Sequence, residues 1–346
     1  MPQFDEDRED VLNRAREAGV DYILTVGTEE ADWPSVIDFS KTYDHPGVVV
    51  SLGVHPHDAS TFSDASLKRL KSSCSDSSVV AIGEIGLDYH YMNSPASDQV
   101  EVFRKQIRLA RDTGMPIIVH SRKAEVETLR ILREEKADEA GGVIHCFSGD
   151  LEMAREALAM GFFISFSGSL TFKNARGLRD IARRVPVEYL LIETDCPYLA
   201  PQPVRGKRNE PSYVRYVAET LAEIKGLNPE DVGRITSHNA MQLFSIGSTE
   251  TEGKIAYKIR DSLYLNITNR CTNTCGFCVR NYSNFVKGHN LRITREPTAE
   301  EVIRAIGEPK DYQEVVFCGY GEPLLRLDLV KEVAGWIKQN GGQVRV

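Results

Sequence analysis

VVAIGE at residues 79–84 and MPIIVH at residues 115–120 bracket DQVEVFRKQIRLARDTG at residues 98–114, and this strand–helix–strand pattern decides the fold. The two outer runs are short, apolar and rich in Val and Ile, as strands buried on both faces of a parallel sheet are. Between them Val102, Ile107, Leu109 and Ala110 recur at helical spacing, and Gly114 supplies the stop.

The same alternation extends in both directions. DYILTVG at 21–27, VVVSLGVH ending at His55, GGVIH ending at His145, GFFISFSG at 161–168 and EYLLIETD ending at Asp195 bring the candidate strands to seven. Repeated βα units build a parallel α/β sheet, and about 250 residues is the usual size of a (β/α)8 TIM barrel. The chain opens on a helical pattern, DEDREDVLNRAREAG from Asp5, where a first strand should already have passed. The expected fold is therefore a TIM barrel with its first strand missing.

After HNAMQLFSIG the stretch STETEGK is small, polar and charged, with nothing to bury. It places a linker at residues 248–258, between a first domain at 1–247 and a second at 259–346. The second begins a fresh βα pattern: SLYLNIT, a cysteine-rich loop, a helix at PTAEEVIRAIG, EVVFCGYGEP, a helix at LDLVKEVAGWIKQNGG, and QVRV.

Composition narrows the function. Of 346 residues, 41% are hydrophobic and 27% charged, which suits a folded soluble protein rather than a disordered one. A formal net charge of −8 argues against a broad basic face that grips nucleic acid by neutralising phosphates, though not against a small basic site. No apolar run is long enough to span a bilayer, and the acidic MPQFDEDRED start is unlike a signal peptide, so the expectation is a cytoplasmic protein with no membrane partner. Three of the seven cysteines crowd into CTNTCGFC, which fits a metal or cluster site better than disulfides.

Glu84, His120, His145 and Asp195 each stand at the C-terminal end of a different candidate strand. In a barrel these ends converge on one face. One such histidine is as readily a hydrogen-bonded structural residue, but two imidazoles and two carboxylates in step offer the donor set of a Zn, Mn or Mg site. Burying carboxylates side by side costs several kcal/mol unless a cation or proton compensates. A bound metal would acidify a coordinated water.

The local words VHPHDA, GEIGLDYHY, IVHSR, HCFSG and ETDCPYLAP, in this order and spacing, resemble the TatD deoxyribonuclease family across residues 1–247. The resemblance implies a divalent-metal-dependent hydrolase of phosphodiester bonds, acting on DNA with up to two metals. It implies that Glu84 bridges the metals, that His120 and His145 hold one of them, and that Asp195 holds the other and takes the proton from the attacking water. Glu84 and Asp195 are thus the expected catalytic pair. His55 is expected to contact substrate, Arg122, Arg205, Lys207 and Arg208 to clamp phosphates, and His57 to be structural. The family also carries a His-x-His pair at the end of its first strand, and none precedes Asp21 here. Codons upstream of Met1 are expected to encode that strand and pair within about ten residues.

Cys271, Cys275 and Cys278 form C-x3-C-x2-C with no fourth ligand close by, where structural zinc would want four. Three thiolates leave one iron of a [4Fe–4S] cube open. With Phe277 before the third cysteine, the motif resembles the radical S-adenosylmethionine superfamily, over residues 259–346. That resemblance implies S-adenosyl-L-methionine at the open iron, a 5′-deoxyadenosyl radical, and contacts to the cofactor from Gly319, Gly321, Glu322 and Pro323 of GYGEP. Such domains extend about twice as far, so this is the N-terminal part of a (β/α) barrel. Cys74, Cys146, Cys196 and Cys318 are read as buried core residues.

Two other readings keep the fold. The barrel would hydrolyse amides or esters with the same metal set, or it would be an inactive binding module serving the radical domain. Dependence of binding on Arg205 and Lys207 favours phosphodiesters over the first; absence of a divalent metal at Glu84 marks the second. Oligomeric state and the radical substrate are left open by the sequence.

Overall fold

The computed structural model describes residues 2–43, 46–247 and 252–346. The chain divides into two compact units, residues 1–247 and 248–346. Residues 248–251 of the expected linker lie outside the described residues.

In the first unit the strands are β1 (Tyr22–Gly27), β2 (Gly47–Leu52), β3 (Val79–Asp88), β4 (Ile117–Arg122), β5 (Gly142–Ile144), β6 (Phe163–Phe166) and β7 (Leu190–Ile192). They pair in sequence order, all parallel, in one seven-stranded sheet. The helices are α1 (Arg8–Glu17), α2 (Trp33–Ser40), α3 (Asp64–Ser73), α4 (Ala96–Thr113), α5 (Glu125–Glu134), α6 (Leu151–Ala159), α7 (Arg176–Arg184), α8 (Val214–Lys225) and α9 (Pro229–Phe244). The architecture is a TIM-barrel fold whose seven parallel strands curl as part of a barrel.

Helix α4 shows how sequence sets this arrangement. Val102, Phe103, Ile107, Leu109 and Ala110 are buried on one face, and each large apolar side chain removed from water contributes about 1.5–3 kcal/mol. Gly114 ends the helix in the left-handed region at φ 69°, its N–H bonded to Ala110 and Arg111 carbonyls. The strands are apolar on both faces because both are covered. Ile82, Ile117, Val119, Ile144, Ile164 and Leu190 join the large core shared with the surrounding helices. Ala81, Ile118, Val143 and Leu191 form a separate cluster with Phe244 of α9.

Strand β3 runs four residues beyond Glu84, where the sequence reading ended it, and reaches Asp88. Its register against β4 shifts between Ile82 and Ile85, then pairs Gly86 with His120 and Asp88 with Arg122. Gly86 has φ 144° and a Cβ there would stand 2.0 Å from the His120 carbonyl oxygen, so only glycine lets the two strand ends close.

The second unit has β8 (Ala256–Ile259), β9 (Ser262–Leu265), a β10–β11 hairpin (Phe285–Val286 and His289–Asn290), α10 (Ala299–Ile306), β12 (Glu314–Phe317), α11 (Leu327–Gln339) and β13 (Val344–Arg345). The sheet order is β13-β12-β9-β8, with β8 antiparallel and the rest parallel. Strand β8 begins within the residues assigned to the linker from sequence, because AYKI is short and follows a polar run. Thr298 and Glu301 close a capping box at the start of α10. Leu263, Leu265, Val315 and Phe317 pack under Val302, Ile306, Val330, Val333 and Ile337 of the two helices.

Candidate metal centre and cysteine loop

Glu84 lies in the irregular step of β3, the kind of bulge that re-aims a side chain at a strand end. Its Oε1 is the meeting point of three imidazoles: 2.8 Å from His120 Nδ1, 2.7 Å from His145 Nε2 and 3.4 Å from His55 Nε2. Burial alone would raise the Glu84 carboxyl, but the charge of His145 and the bonds from His120, His145 and His55 hold it well below the usual range.

Each of two imidazoles is bracketed by a second carboxylate. His120 Nε2 stands 3.1 Å from Asp88 Oδ2, and His145 Nδ1 stands 3.2 Å from Glu193 Oε1. Against the cost of burial, Glu84 and Glu193 raise the His145 imidazole well above its ordinary value. Asp88, 1% exposed, also accepts the N–H groups of His90 and Tyr91 on Oδ1 and touches His57 at 3.1 Å. Glu193 accepts the Cys146 N–H at 2.9 Å and the Ser165 hydroxyl at 2.5 Å.

Sequence reading missed both Asp88 and Glu193. Asp88 lies four residues past the point at which the sequence reading ended β3, and Glu193 stands just beyond β7, two residues before Asp195.

His55, Glu84 and His120 offer three donor atoms within 4.8 Å of one another. His55 nevertheless fits a hydrogen-bond role better than a ligand role. Its Nδ1 accepts the His57 backbone N–H at 3.1 Å, so the neutral ring carries its proton on Nε2 and presents a donor to Glu84. His120 and His145 instead have a carboxylate behind the nitrogen remote from Glu84, the arrangement that fixes a metal-ligating imidazole. Glu84 with His120 Nδ1 and His145 Nε2 is thus a second donor set that could hold a divalent cation.

Asp195, after β7, is in the left-handed region at φ 55°, and so is Cys146, after β5 and next to His145, at φ 43°. Non-glycine residues held there are uncommon and gather at functional sites. Burial, helped by the nearby charges of Glu193 and Glu84 and opposed by His145, pushes the Asp195 carboxyl up to about 7. Burial likewise pushes the Cys146 thiol up to about 12.

The four cations singled out from sequence do not share one environment. Arg122 lies over the Tyr91 ring at 4.8 Å and Arg205 over Phe172 at 3.8 Å. Lys207 is exposed. Arg208 bonds Asp7 through both carboxylate oxygens, at 2.8 and 2.6 Å, and the Gln3 carbonyl, fastening the loop after β7 to the start of the chain.

In the second unit Cys271 and Cys278 are half-buried, Cys275 is exposed and all three are free thiols. GYGEP packs on the start of this loop: a Cβ at Gly321 would meet the Arg270 and Thr268 carbonyl oxygens at 2.3 and 2.5 Å, and one at Gly319 would meet Asn266. These glycines thus serve close approach to the chain itself. The Glu322 N–H donates to the Arg270 carbonyl at 2.8 Å and Asn266 accepts the Tyr320 N–H at 2.8 Å. Cys318, expected in the core, is exposed instead, because it sits one residue past the end of β12. Cys74, Cys146 and Cys196 are half-buried rather than fully buried.

Residues 1–245 match the family model described as TatD related DNase, and residues 265–346 match the Radical SAM superfamily. The first part is 45% identical over 244 residues to the uncharacterized metal-dependent hydrolase YabD of Bacillus subtilis, covering 70% of this chain and 95% of that protein. It is 36% identical over 248 residues to the 3′-5′ ssDNA/RNA exonuclease TatD of Cronobacter sakazakii, covering 70% and 93%. The crystal structure of YjjV, a TatD homologue of Escherichia coli, superposes with a TM-score of 0.67 at 30% identity, covering 71% of this chain and 95% of that one.

Proposed function

The chain belongs to the TatD-related DNases, a metal-dependent hydrolase domain of nuclease type joined to a radical SAM domain, and from that premise we propose that the first unit hydrolyses phosphodiester bonds of single-stranded nucleic acid at Glu84. The observation that carries the reading is the convergence of His120 and His145 on one Glu84 oxygen, at 2.8 and 2.7 Å, each with a further carboxylate behind it.

Glu84, His120 and His145 would hold one divalent cation, Mg, Mn or Zn, and Asp195 with Glu84 would hold a second. Bound there, the cation supplies a Lewis acid for the phosphoryl oxygen and lowers the pKa of water. Asp195 accepts the proton of the attacking water as the new P–O bond forms, and as the ester P–O bond breaks the departing oxygen takes a proton to leave as the alcohol. Arg122, Arg205 and Lys207 are the cations available to phosphate.

In the second unit, Cys271, Cys275 and Cys278 would hold a [4Fe–4S] cluster, with S-adenosyl-L-methionine beside Gly319–Pro323. Together the cluster and cofactor would supply one-electron reductive chemistry to that unit.

The test of the nuclease reading uses the full chain, end-labelled single-stranded DNA and Mn2+. Shortening of the strand that stops with EDTA, and in Glu84→Gln together with metal binding by calorimetry, supports it. Metal binding without cleavage of DNA or RNA overturns it.

A further inference from the structure

Tyr91 sits against the edge of the metal centre yet is 55% exposed. Its backbone N–H is held by Asp88 Oδ1 at 2.9 Å, and the other oxygen of that carboxylate touches His57 and His120 at 3.1 Å each. Its ring meets His57 edge to face at a centroid distance of 5.5 Å, and His57 meets His55 at 4.3 Å. A continuous set of side chains thus leads from Glu84 outward to an exposed aromatic ring.

Arg122 completes the feature. It is paired in register with Asp88 across the β3–β4 ladder, and its carbonyl accepts the Tyr89 N–H at 2.9 Å. The guanidinium lies over the Tyr91 ring at 4.8 Å. Arg122 is exposed and has no carboxylate partner among the described residues, so its charge remains available to an anion.

The ring also meets His90 at 4.7 Å, so what it offers is its exposed part and the guanidinium plane lying over it. Unpaired bases stack on both kinds of surface, and the arginine charge serves the neighbouring phosphate. Only an unpaired strand can lend a base to such a ring, since duplex bases are already stacked. The net charge of −8 argues against a broad basic face, and stacking on a ring adds affinity that does not depend on phosphate neutralisation.

Resting on the nuclease reading above, we propose that Tyr91 and Arg122 form a base-stacking subsite that receives the nucleobase next to the scissile phosphate and gives the hydrolase its preference for single strands.

The test compares binding of labelled oligothymidylate with the same strand carrying abasic tetrahydrofuran residues, by anisotropy, using the full chain in Ca2+. The wild type should hold the base-bearing strand about 10-fold more tightly, within the range stacking on one ring provides. Tyr91→Ala should bring that ratio close to one and Tyr91→Phe should preserve it. Arg122→Gln should weaken both strands together. A base preference that survives Tyr91→Ala, or is lost equally in Tyr91→Phe, overturns the subsite, as does a wild type that does not distinguish the strands. If the preference behaves as stated but neither strand is cleaved in Mn2+, the subsite stands and the nuclease reading fails.

Discussion

Asp88 Oδ2 stands 3.1 Å from Nε2 of His120, on the far side of the ring from Glu84. Asp88 is 1% exposed and held well below the usual carboxylate range: burial opposes its ionisation, but the His120 bond and the Tyr91 and His90 N–H groups outweigh it. A carboxylate placed behind a ligating imidazole fixes the tautomer and raises its basicity.

Replacing Asp88 by Asn keeps an oxygen for the Tyr91 and His90 N–H groups and removes the charge. Asp88→Asn should weaken Mn2+ or Zn2+ affinity by about 10- to 100-fold, and because the depressed carboxylate also stabilises the fold, the metal-free protein should melt at a lower temperature. Glu193→Gln should act in the same direction through His145. Calorimetric titration of the full chain decides: unaltered metal affinity in both variants would mean that these carboxylates only pack.

Asp195→Asn should reduce turnover of single-stranded DNA by more than about 100-fold, the low end for a positioned acid–base group. The isosteric change leaves side-chain size intact, so the circular dichroism spectrum and YjjV-like fold should persist. Near wild-type turnover would remove Asp195 from the proton transfer.

How far the sequence carried this site can be traced residue by residue. Glu84, His120 and His145 were legible because each closes an apolar run, and strand ends converge in a parallel barrel. Asp88 was hidden because the apolar run was ended at Glu84, whereas Gly86 allows β3 to continue against the His120 carbonyl. Glu193 was overshadowed by its neighbour Asp195. Which carboxylate backs which imidazole depends on register between strands, which one sequence does not contain. Arg208 read as a phosphate ligand because the loop is basic; its engagement by Asp7 joins residues 201 positions apart. Strand β8 and the exposure of Cys318 were missed for a shared reason: short runs at element ends carry too little periodicity to place.

The cysteine loop makes a compositional prediction. Anaerobic reconstitution of the full chain with iron and sulfide should yield about four irons and a visible charge-transfer band, and Cys275→Ala should lose both. Cys318→Ala should retain them, since Cys318 lies outside the C-x3-C-x2-C spacing. Stoichiometric zinc in place of iron would overturn the cluster assignment.

The last prediction concerns what holds α1 to the barrel. Arg14 bonds Glu210 in a fork, Nε to Oε1 at 2.9 Å and Nη2 to Oε2 at 2.7 Å, and Glu210, 4% exposed, also accepts the Ser212 hydroxyl at 2.5 Å. Removing Arg14 leaves a nearly buried carboxylate short of its charged partner, so Arg14→Ala should cost about 1–3 kcal/mol in urea unfolding. Arg130, which pairs with Glu127 and Glu134 on the exposed face of α5, should cost less than Arg14 when replaced by Ala, because such pairs are screened by solvent. The pH dependence follows from the direction of the Glu210 shift. Burial would raise its carboxyl, but Arg14 and Ser212 lower it below the ordinary value of 4.5. The folded state therefore binds fewer protons there than the unfolded state, and this stabilisation is complete above that ordinary value and fades as pH falls through the depressed one. Urea midpoints measured from pH 6 down to about pH 3 should accordingly fall more steeply for the wild type than for Glu210→Gln, which has no proton to take up at that position. Parallel slopes would mean that the Arg14–Glu210 fork forms without stabilising the fold.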